Sequence, residues 1–243
     1  IDGSGTPYRT LVCYKETWSN SPSSDPDPST WTGTWRDPRF SPPKDGGRPE
    51  TALMGTWTRI AGQLYSAITV PQADGRLRFW RNTDIAQLAP GQTYTLPPGT
   101  LGAEIQVDED NGFRPPGLFR LSSTEVTAVD QYLLDYGNTT GPGTINHALT
   151  LYRHSSGALV FSSGTYNWSW GLDASHDNSQ LGQTTDVNVQ QATVNLFADM
   201  GVQPRTLHPG LVPATASTDQ TAPQSVITSP ASGSSIPVGV PIT

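Results

Sequence analysis

The chain has 243 residues and a formal net charge of −7; only 14% of its residues are charged, whereas glycine (24) and proline (22) are abundant. Its seven Trp and eight Tyr residues exclude a disordered chain, because so many aromatic rings need a core in which to pack. The negative charge argues against nucleic acids and anionic membranes as partners, since both recruit basic surfaces.

Cys13 is the single cysteine, which excludes an internal disulfide and is interpreted as a small buried residue of a strand. No stretch approaches the ~20 apolar residues of a membrane span. The sequence shows no signal peptide, begins at Ile1 and stops at Thr243 within an apparent strand. We therefore expect an internal piece of a larger protein.

Gly and Pro residues separate many short apolar segments, and this pattern predicts a largely β protein. The N-terminal part holds a strand at 9–14 and a long loop at 19–50, whose aromatic residues predict a cover folded onto the domain. Further strands are predicted at 52–60, 64–70, 77–80, 100–108, 125–135, 146–153 and 157–163, with a turn at 137–143. In the strand at 100–108 apolar and polar residues alternate, which predicts one apolar and one polar face.

One convincing helix is predicted, over about 187–200. Its apolar residues Val189, Leu196, Phe197 and Met200 have the spacing of a core-facing stripe. Asp186 suits the N-cap, and Gly201 follows the helix where a left-handed residue ends it.

The composition changes after the helix. Residues 205–222 are rich in Thr, Ser, Pro and Ala without hydrophobic periodicity, which predicts a linker. Residues 223–243 then resemble the opening strands of a bacterial immunoglobulin-like repeat. The predicted domain is thus 1–204, followed by the linker and a truncated repeat.

Eight stretches together resemble the N,N-dimethylformamidase large-subunit-like family. They lie at 9–16, 31–39, 78–83, 99–104, 147–152, 156–161, 168–173 and 190–196. The likeness spans about 1–205. Many members of this family are secreted proteins that carry immunoglobulin-like repeats, which implies an extracellular bacterial location.

The resemblance implies a fold class of α/β type with a large β-rich insertion, predominantly β overall. Residues 157–204 would belong to a class I glutamine-amidotransferase-like (flavodoxin-like) layer, and the insertion would cover about 15–150. It also implies hydrolysis of the C–N bond of a small amide by a mononuclear iron held by two tyrosines and a glutamate.

The family's glutamate lies in a Gly-Tyr-Glu motif, which here corresponds to Gly102-Ala103-Glu104. Glu104 is therefore the metal ligand that the resemblance implies, with Ala103 where the family has tyrosine. The two tyrosine ligands would precede Ile1, so this chain alone would not catalyse. On the strand pattern alone, Glu104 could equally be a solvated carboxylate on the polar face.

Asp173 and His176 follow the buried strand at 157–163 on a loop, where α/β folds place their sites, and both are candidate catalytic residues. His147 could act as a base or ligand, but its position in a strand favours a structural hydrogen bond. A Cys-His-Glu triad is rejected, because no cysteine occupies a strand-to-helix elbow.

For two further patterns we prefer a structural interpretation to a ligand-binding one. The acidic stretch 108–112 resembles a calcium loop, but the EF-hand spacing fails and a solvated turn is favoured. The aromatic stretch 166–170 could stack on sugars, although packing within the fold is favoured. The alternative to an amidohydrolase is a non-catalytic extracellular module for adhesion or carbohydrate binding.

Overall fold

The computed structural model describes residues 49–175 and 185–219, together with 221, 226, 228–235 and 238. The predicted strand at 9–14, residues 19–48 of the predicted cover and Cys13 lie outside these residues, as do His176 and more than half of the predicted immunoglobulin-like start. The strands are β1 (Trp57–Ser66), β2 (Thr69–Pro71), β3 (Thr93–Thr95), β4 (Leu101–Val107), β5 (Phe119–Arg120), β6 (Thr124–Leu134), β7 (Thr139–His147), β8 (Thr150–Arg153) and β9 (Leu159–Ser162). The helices are α1 (Thr51–Met54), α2 (Gln72–Gly75) and α3 (Val187–Asp199).

Three sheets organise the described strands. The largest has the order β4-β1-β6-β7, and β2-β3 and β5-β8-β9 form smaller sheets. Every described strand pair is antiparallel. The predominantly β character and the single long helix are confirmed. A flavodoxin-like layer requires parallel strands joined by helices, and the described strands do not confirm it.

The segment 51–66 differs from its prediction. Residues 51–54 form the single turn α1, and β1 runs without interruption through the predicted break at 61–63. Gly62 has a φ of +152°, and the pairing of β1 with β4 shifts register between Ala61 and Tyr65. Gly62 lies within this β-bulge, so one strand with a bulge is present where two strands were predicted.

Residues 78–80 form a 3₁₀ turn rather than the predicted strand. The turn buries Phe79 and Trp80 together, and the indole Nε1 of Trp80 donates to the carbonyl of Leu121 at 2.8 Å. A strand with one exposed face would bury only one of two neighbouring side chains, whereas this turn buries both.

An aromatic cluster lies at the centre of the core. Phe79 stacks on Phe161 with ring centroids 5.4 Å apart, and Trp168 contacts Phe161 at 5.8 Å. Trp80 closes the group at 4.8 Å from Phe79. The cluster joins the 3₁₀ turn at 78–80, β9 and the segment after β9, and Val189 brings α3 into the same core.

Helix α3 is confirmed, with a different buried face. Asp186 caps it through hydrogen bonds from the backbone N–H groups of Asn188 (2.8 Å) and Val189 (3.1 Å). Phe197 and Met200, predicted to be core residues, are 45% and 40% exposed. Their places on the buried face are taken by polar residues: Asn188, Gln191 and Asn195.

These buried amides bind backbone groups, which explains why polar residues occupy the face. Asn195 donates to the carbonyls of Phe79 and Arg81 at 2.9 and 2.6 Å. Gln191 donates to the carbonyl of Val212 and accepts from its N–H.

Residues 207–215 lie against α3, and we call them the strap. Leu207, Leu211 and Ala214 pack on Val194 and Ala198. Arg81 donates to the carbonyl of Thr215 at 3.1 Å, and Arg81 in turn pairs with Asp199 at 2.9 Å. The start of the predicted linker is therefore attached to the helix, whereas the domain boundaries themselves stay a prediction.

Candidate functional site

Glu104 lies on β4, where the strand departs from regular geometry. The register of β4 against β1 shifts beside it, between the pairs Ala61–Glu104 and Tyr65–Gly102. Ala103 has a φ of +60°, in the left-handed region that residues with a Cβ seldom adopt. Such backbone strain persists where the surrounding structure holds it and occurs often at functional sites. The predicted alternation of faces breaks at this point.

The Glu104 side chain is half-buried and lies beside two hydroxyl groups. The Tyr166 phenol is close enough for Glu104 to raise its pKa. The Thr58 hydroxyl lies 3.5 Å from Oε2. The carboxylate is therefore only partly exposed, and its assignment as a metal ligand stays a prediction.

The same contact changes the acidity of the tyrosine. Desolvation, together with the hydrogen bond and the charge of Glu104, raises the pKa of Tyr166 to about 12. The phenol is therefore protonated at neutral pH.

Tyr166 is presented by the turn that follows β9. Residues Tyr166–Gly171 form a 3₁₀ helix, and the N-cap Thr165 accepts from the N–H of Asn167 at 3.1 Å. Thr165 also bonds both backbone groups of Gly102, at 3.1 and 3.2 Å. The turn is thereby attached to β4 two residues before Glu104.

Of the two candidate catalytic residues, the structure describes Asp173 but not His176. Asp173 is exposed just beyond the turn that carries Tyr166, and its carboxylate accepts from the N–H of Ser175. Within the described ranges no hydrogen bond or ion pair joins Asp173 to Glu104. His176 lies outside the described residues, so both catalytic assignments stay predictions.

His147, at the end of β7, is completely buried. Its Nε2 lies 3.0 Å from the carbonyl oxygen of Ser163, which can only accept, so Nε2 carries the proton. Burial lowers the pKa of His147 to about 4, although the hydrogen bond and the nearby Asp108 oppose the shift. A neutral histidine held in this way matches the structural interpretation.

The acidic stretch 108–112 is not an open cation loop. Asp108 is buried and receives hydrogen bonds from Arg114 (3.0 Å) and Arg120 (3.0 Å). Asp110 and Asn111 accept from backbone N–H groups two residues ahead of them. Asp108 is thus engaged by arginines, and the rest of the stretch forms the predicted turn.

The aromatic stretch 166–170 divides by role. Trp168 is in the core, and its indole Nε1 lies 3.3 Å from the Thr193 hydroxyl of α3. Tyr166 is 61% exposed. With Trp168 unable to contact a ligand, the stretch does not form a continuous stacking surface, and packing is the better interpretation.

The Glu104 carboxylate fits iron in chemical type. A carboxylate, a phenol and a hydroxyl are hard oxygen donors, which suit oxophilic metal ions. Over residues 49–175 and 185–219, however, three or more His, Cys, Asp and Glu residues nowhere converge as a metal-binding group. The described chain therefore offers Glu104 as a single carboxylate donor.

None of the helices in the described ranges has the length and apolar character to cross a membrane.

The fold and this site define a predominantly antiparallel β protein that holds a half-buried carboxylate against hydroxyl groups on a strained strand. Residues 2–182 match the model of the family described as N,N-dimethylformamidase beta subunit-like, C-terminal, and the chain belongs to this family. No curated protein and no solved structure matches the chain. Family membership confirms the resemblance and relates the chain to amidohydrolases.

Sequence reasoning missed two residues of the site. Tyr166 and Thr58 are 62 and 46 positions from Glu104, and neither periodicity nor a motif connects them. The one available signal was local: the aromatic Tyr166 lies between the polar residues Thr165 and Asn167.

Proposed function

We propose that this chain is the C-terminal part of an iron-dependent hydrolase that cleaves the C–N bond of a small amide. The observation that supports the proposal most is the half-buried Glu104 carboxylate on the strained segment of β4, in a chain of the N,N-dimethylformamidase-like family. The location of the natural protein outside the cell and the immunoglobulin-like repeat stay predictions.

In this proposal Glu104 is one protein ligand of the iron, and two tyrosines that precede Ile1 are the others. When bound, iron would polarise the amide carbonyl and acidify a water molecule. The residues of this chain would orient the site: the Thr58 hydroxyl lies 3.5 Å from Glu104 Oε2, and the Tyr166 phenol lies near enough for Glu104 to raise its pKa.

Asp173 and His176 are proposed to act on the substrate side of the site. Asp173 follows the 3₁₀ turn that begins at Tyr166, so both ends of one short segment would serve the same site. An exposed carboxylate can accept a proton from water or stabilise a leaving amine, provided that it comes within hydrogen-bond reach of the substrate.

The test is a screen of small amides with the natural full-length protein, measured with bound iron and after iron removal. We expect iron-dependent release of an amine. Glu104→Gln should abolish the activity, and the control Glu125→Gln, at an exposed position of β6, should retain it. An iron-free protein with undiminished amide hydrolysis would contradict the proposal.

A further inference from the structure

The turn after β4 contains the pair Asn111-Gly112, and no other asparagine of the sequence precedes a glycine. Gly112 is exposed and has a φ of +85°, in the left-handed region that glycine adopts without strain. A Cβ built on Gly112 would meet no atom within 4 Å. The peptide nitrogen of Gly112 therefore lies on an open part of the surface, on a residue that has no side chain to shield it.

Two hydrogen bonds surround this pair. The backbone N–H of Gly112 donates to Asp110 Oδ1 at 3.0 Å. The backbone N–H of Phe113 donates to Asn111 Oδ1 at 3.3 Å. The first places a carboxylate base on the proton of the Gly112 nitrogen, and the second places a donor on the oxygen of the Asn111 side-chain amide. The turn thus supports attack of that nitrogen on the amide, because it provides both a proton acceptor and a donor to the oxygen that becomes negative.

We propose that Asn111 is a site of spontaneous deamidation, in which the Gly112 nitrogen attacks Cγ of Asn111. As the new N–C bond forms, the proton of the Gly112 nitrogen passes to the Asp110 carboxylate. The proton is then returned to Nδ2, which leaves as ammonia when the bond from Cγ to Nδ2 breaks. Water opens the resulting cyclic imide at either carbonyl and leaves an aspartyl or isoaspartyl residue. The reaction consumes water and releases ammonia, and it is independent of the proposed hydrolysis of an amide substrate.

The reaction would also change how the turn is attached to α1. Asn111 Nδ2 donates to Thr51 Oγ1 at 3.0 Å, and Thr51 is a completely buried residue at the start of α1. Loss of ammonia removes this donor. The new carboxylate also adds a negative charge beside the exposed Glu109 and Asp110. We therefore expect α1 to be held less firmly after the conversion.

The test follows the natural full-length protein during incubation in mildly alkaline buffer, with mass spectrometry of its peptides and an assay for isoaspartate. Asn138 is the internal control. It is half-buried in a turn, as Asn111 is, but it precedes the β-branched Thr139, which shields the peptide nitrogen. We expect conversion at Asn111 to be faster than at Asn138 by about tenfold or more. Equal conversion at the two positions, or none at Asn111, would overturn the inference.

A pair of variants tests the route of the proton. Asp110→Ser keeps an oxygen that can accept from the Gly112 N–H but removes the base, so conversion of Asn111 should slow by about tenfold or more. Glu109→Gln is the matched control. It removes a neighbouring negative charge that pairs with Arg59, and it should leave the rate unchanged. Equal rates in these two variants would overturn the role of Asp110.

Hydrogen exchange measures the effect on α1. Asn111→Asp reproduces one product of the reaction, and thermal unfolding checks that the variant is folded. The N–H of Gly55 donates to the carbonyl of Thr51 at 2.9 Å, so its exchange reports how firmly α1 is held. We expect this exchange to become faster by about tenfold or less, because one hydrogen bond is lost. Unchanged exchange in Asn111→Asp would overturn the predicted effect on α1.

Discussion

The side-chain amide of Gln191 pairs with both backbone groups of Val212, accepting from its N–H at 2.9 Å and donating to its carbonyl at 3.0 Å. Gln191 lies on the buried face of α3, and Val212 belongs to the strap. The Gln191 side chain thus pairs with the strap as a neighbouring β-strand would, although the composition of the strap predicted a linker.

Replacing Gln191 should release the strap. We expect Gln191→Ala to lower the free energy of unfolding by about 1–3 kcal/mol, because two partly buried hydrogen bonds to Val212 lose a partner. Hydrogen exchange at the Val212 amide should become much faster. Gln190→Ala is the matched control, since Gln190 donates to the Leu172 carbonyl instead. Equal protection of Val212 in both variants would contradict the role of Gln191.

The buried Asp108 should contribute strongly to stability. Burial alone would raise the pKa of its carboxyl group, but hydrogen bonds from Arg120 and Arg114 outweigh this and hold the pKa below its ordinary value. We expect Asp108→Asn to cost about 2–3 kcal/mol near neutral pH, measured by denaturant unfolding.

The depressed pKa also sets the pH dependence of this contribution. It is complete above the ordinary carboxyl pKa of 3.8 and is lost as pH falls below that value, because the unfolded state takes up the proton first. Asp110→Asn, at an exposed position of the same stretch, is the control and should change stability by less than about 0.5 kcal/mol. An equal effect of both substitutions would contradict the assignment.

His147 should make the protein less stable in mild acid. Its pKa is about 4 in the folded state against 6.5 in a free side chain, so between these pH values the unfolded state binds more protons. The contribution of neutral His147 to the free energy of unfolding is therefore complete above pH 6.5. It falls towards pH 4, by about 3 kcal/mol at most.

A variant isolates this contribution. His147→Gln should be less stable at neutral pH but should lose much of the decline between pH 6.5 and 4, measured by denaturant unfolding across that range. The exposed His154 provides the control, because His154→Gln should keep the full decline. A slope that is unchanged in His147→Gln would show that other groups cause the acid sensitivity.

The sequence predicted those elements that local patterns determine. Helix α3, its Asp186 cap and β4 were predicted because capping and alternation act within a few residues. The core face of α3 was predicted wrongly at Phe197 and Met200. Apolar spacing cannot show that buried amides such as Asn195 will bind backbone carbonyls more than 100 positions away.

The sequence likewise predicted only part of the candidate site. The family motif identified Glu104, and a glutamate in a strand is visible in the sequence. The proximity of Thr58 and Tyr166 to Glu104 comes from the pairing of β1 with β4 and from the attachment of Thr165 to Gly102, both of which are products of tertiary packing. Likewise, Trp80 looked like a strand residue because burial on a 3₁₀ turn leaves no period in the sequence.

Iron retention by a Glu104 variant tests the central claim most directly. The natural full-length protein and its Glu104→Gln variant would be purified in parallel, shown to have the same thermal unfolding, and analysed for bound iron after dialysis against a chelator. We predict iron in the unmodified protein and its loss from Glu104→Gln. Iron held equally well by both proteins would contradict the account.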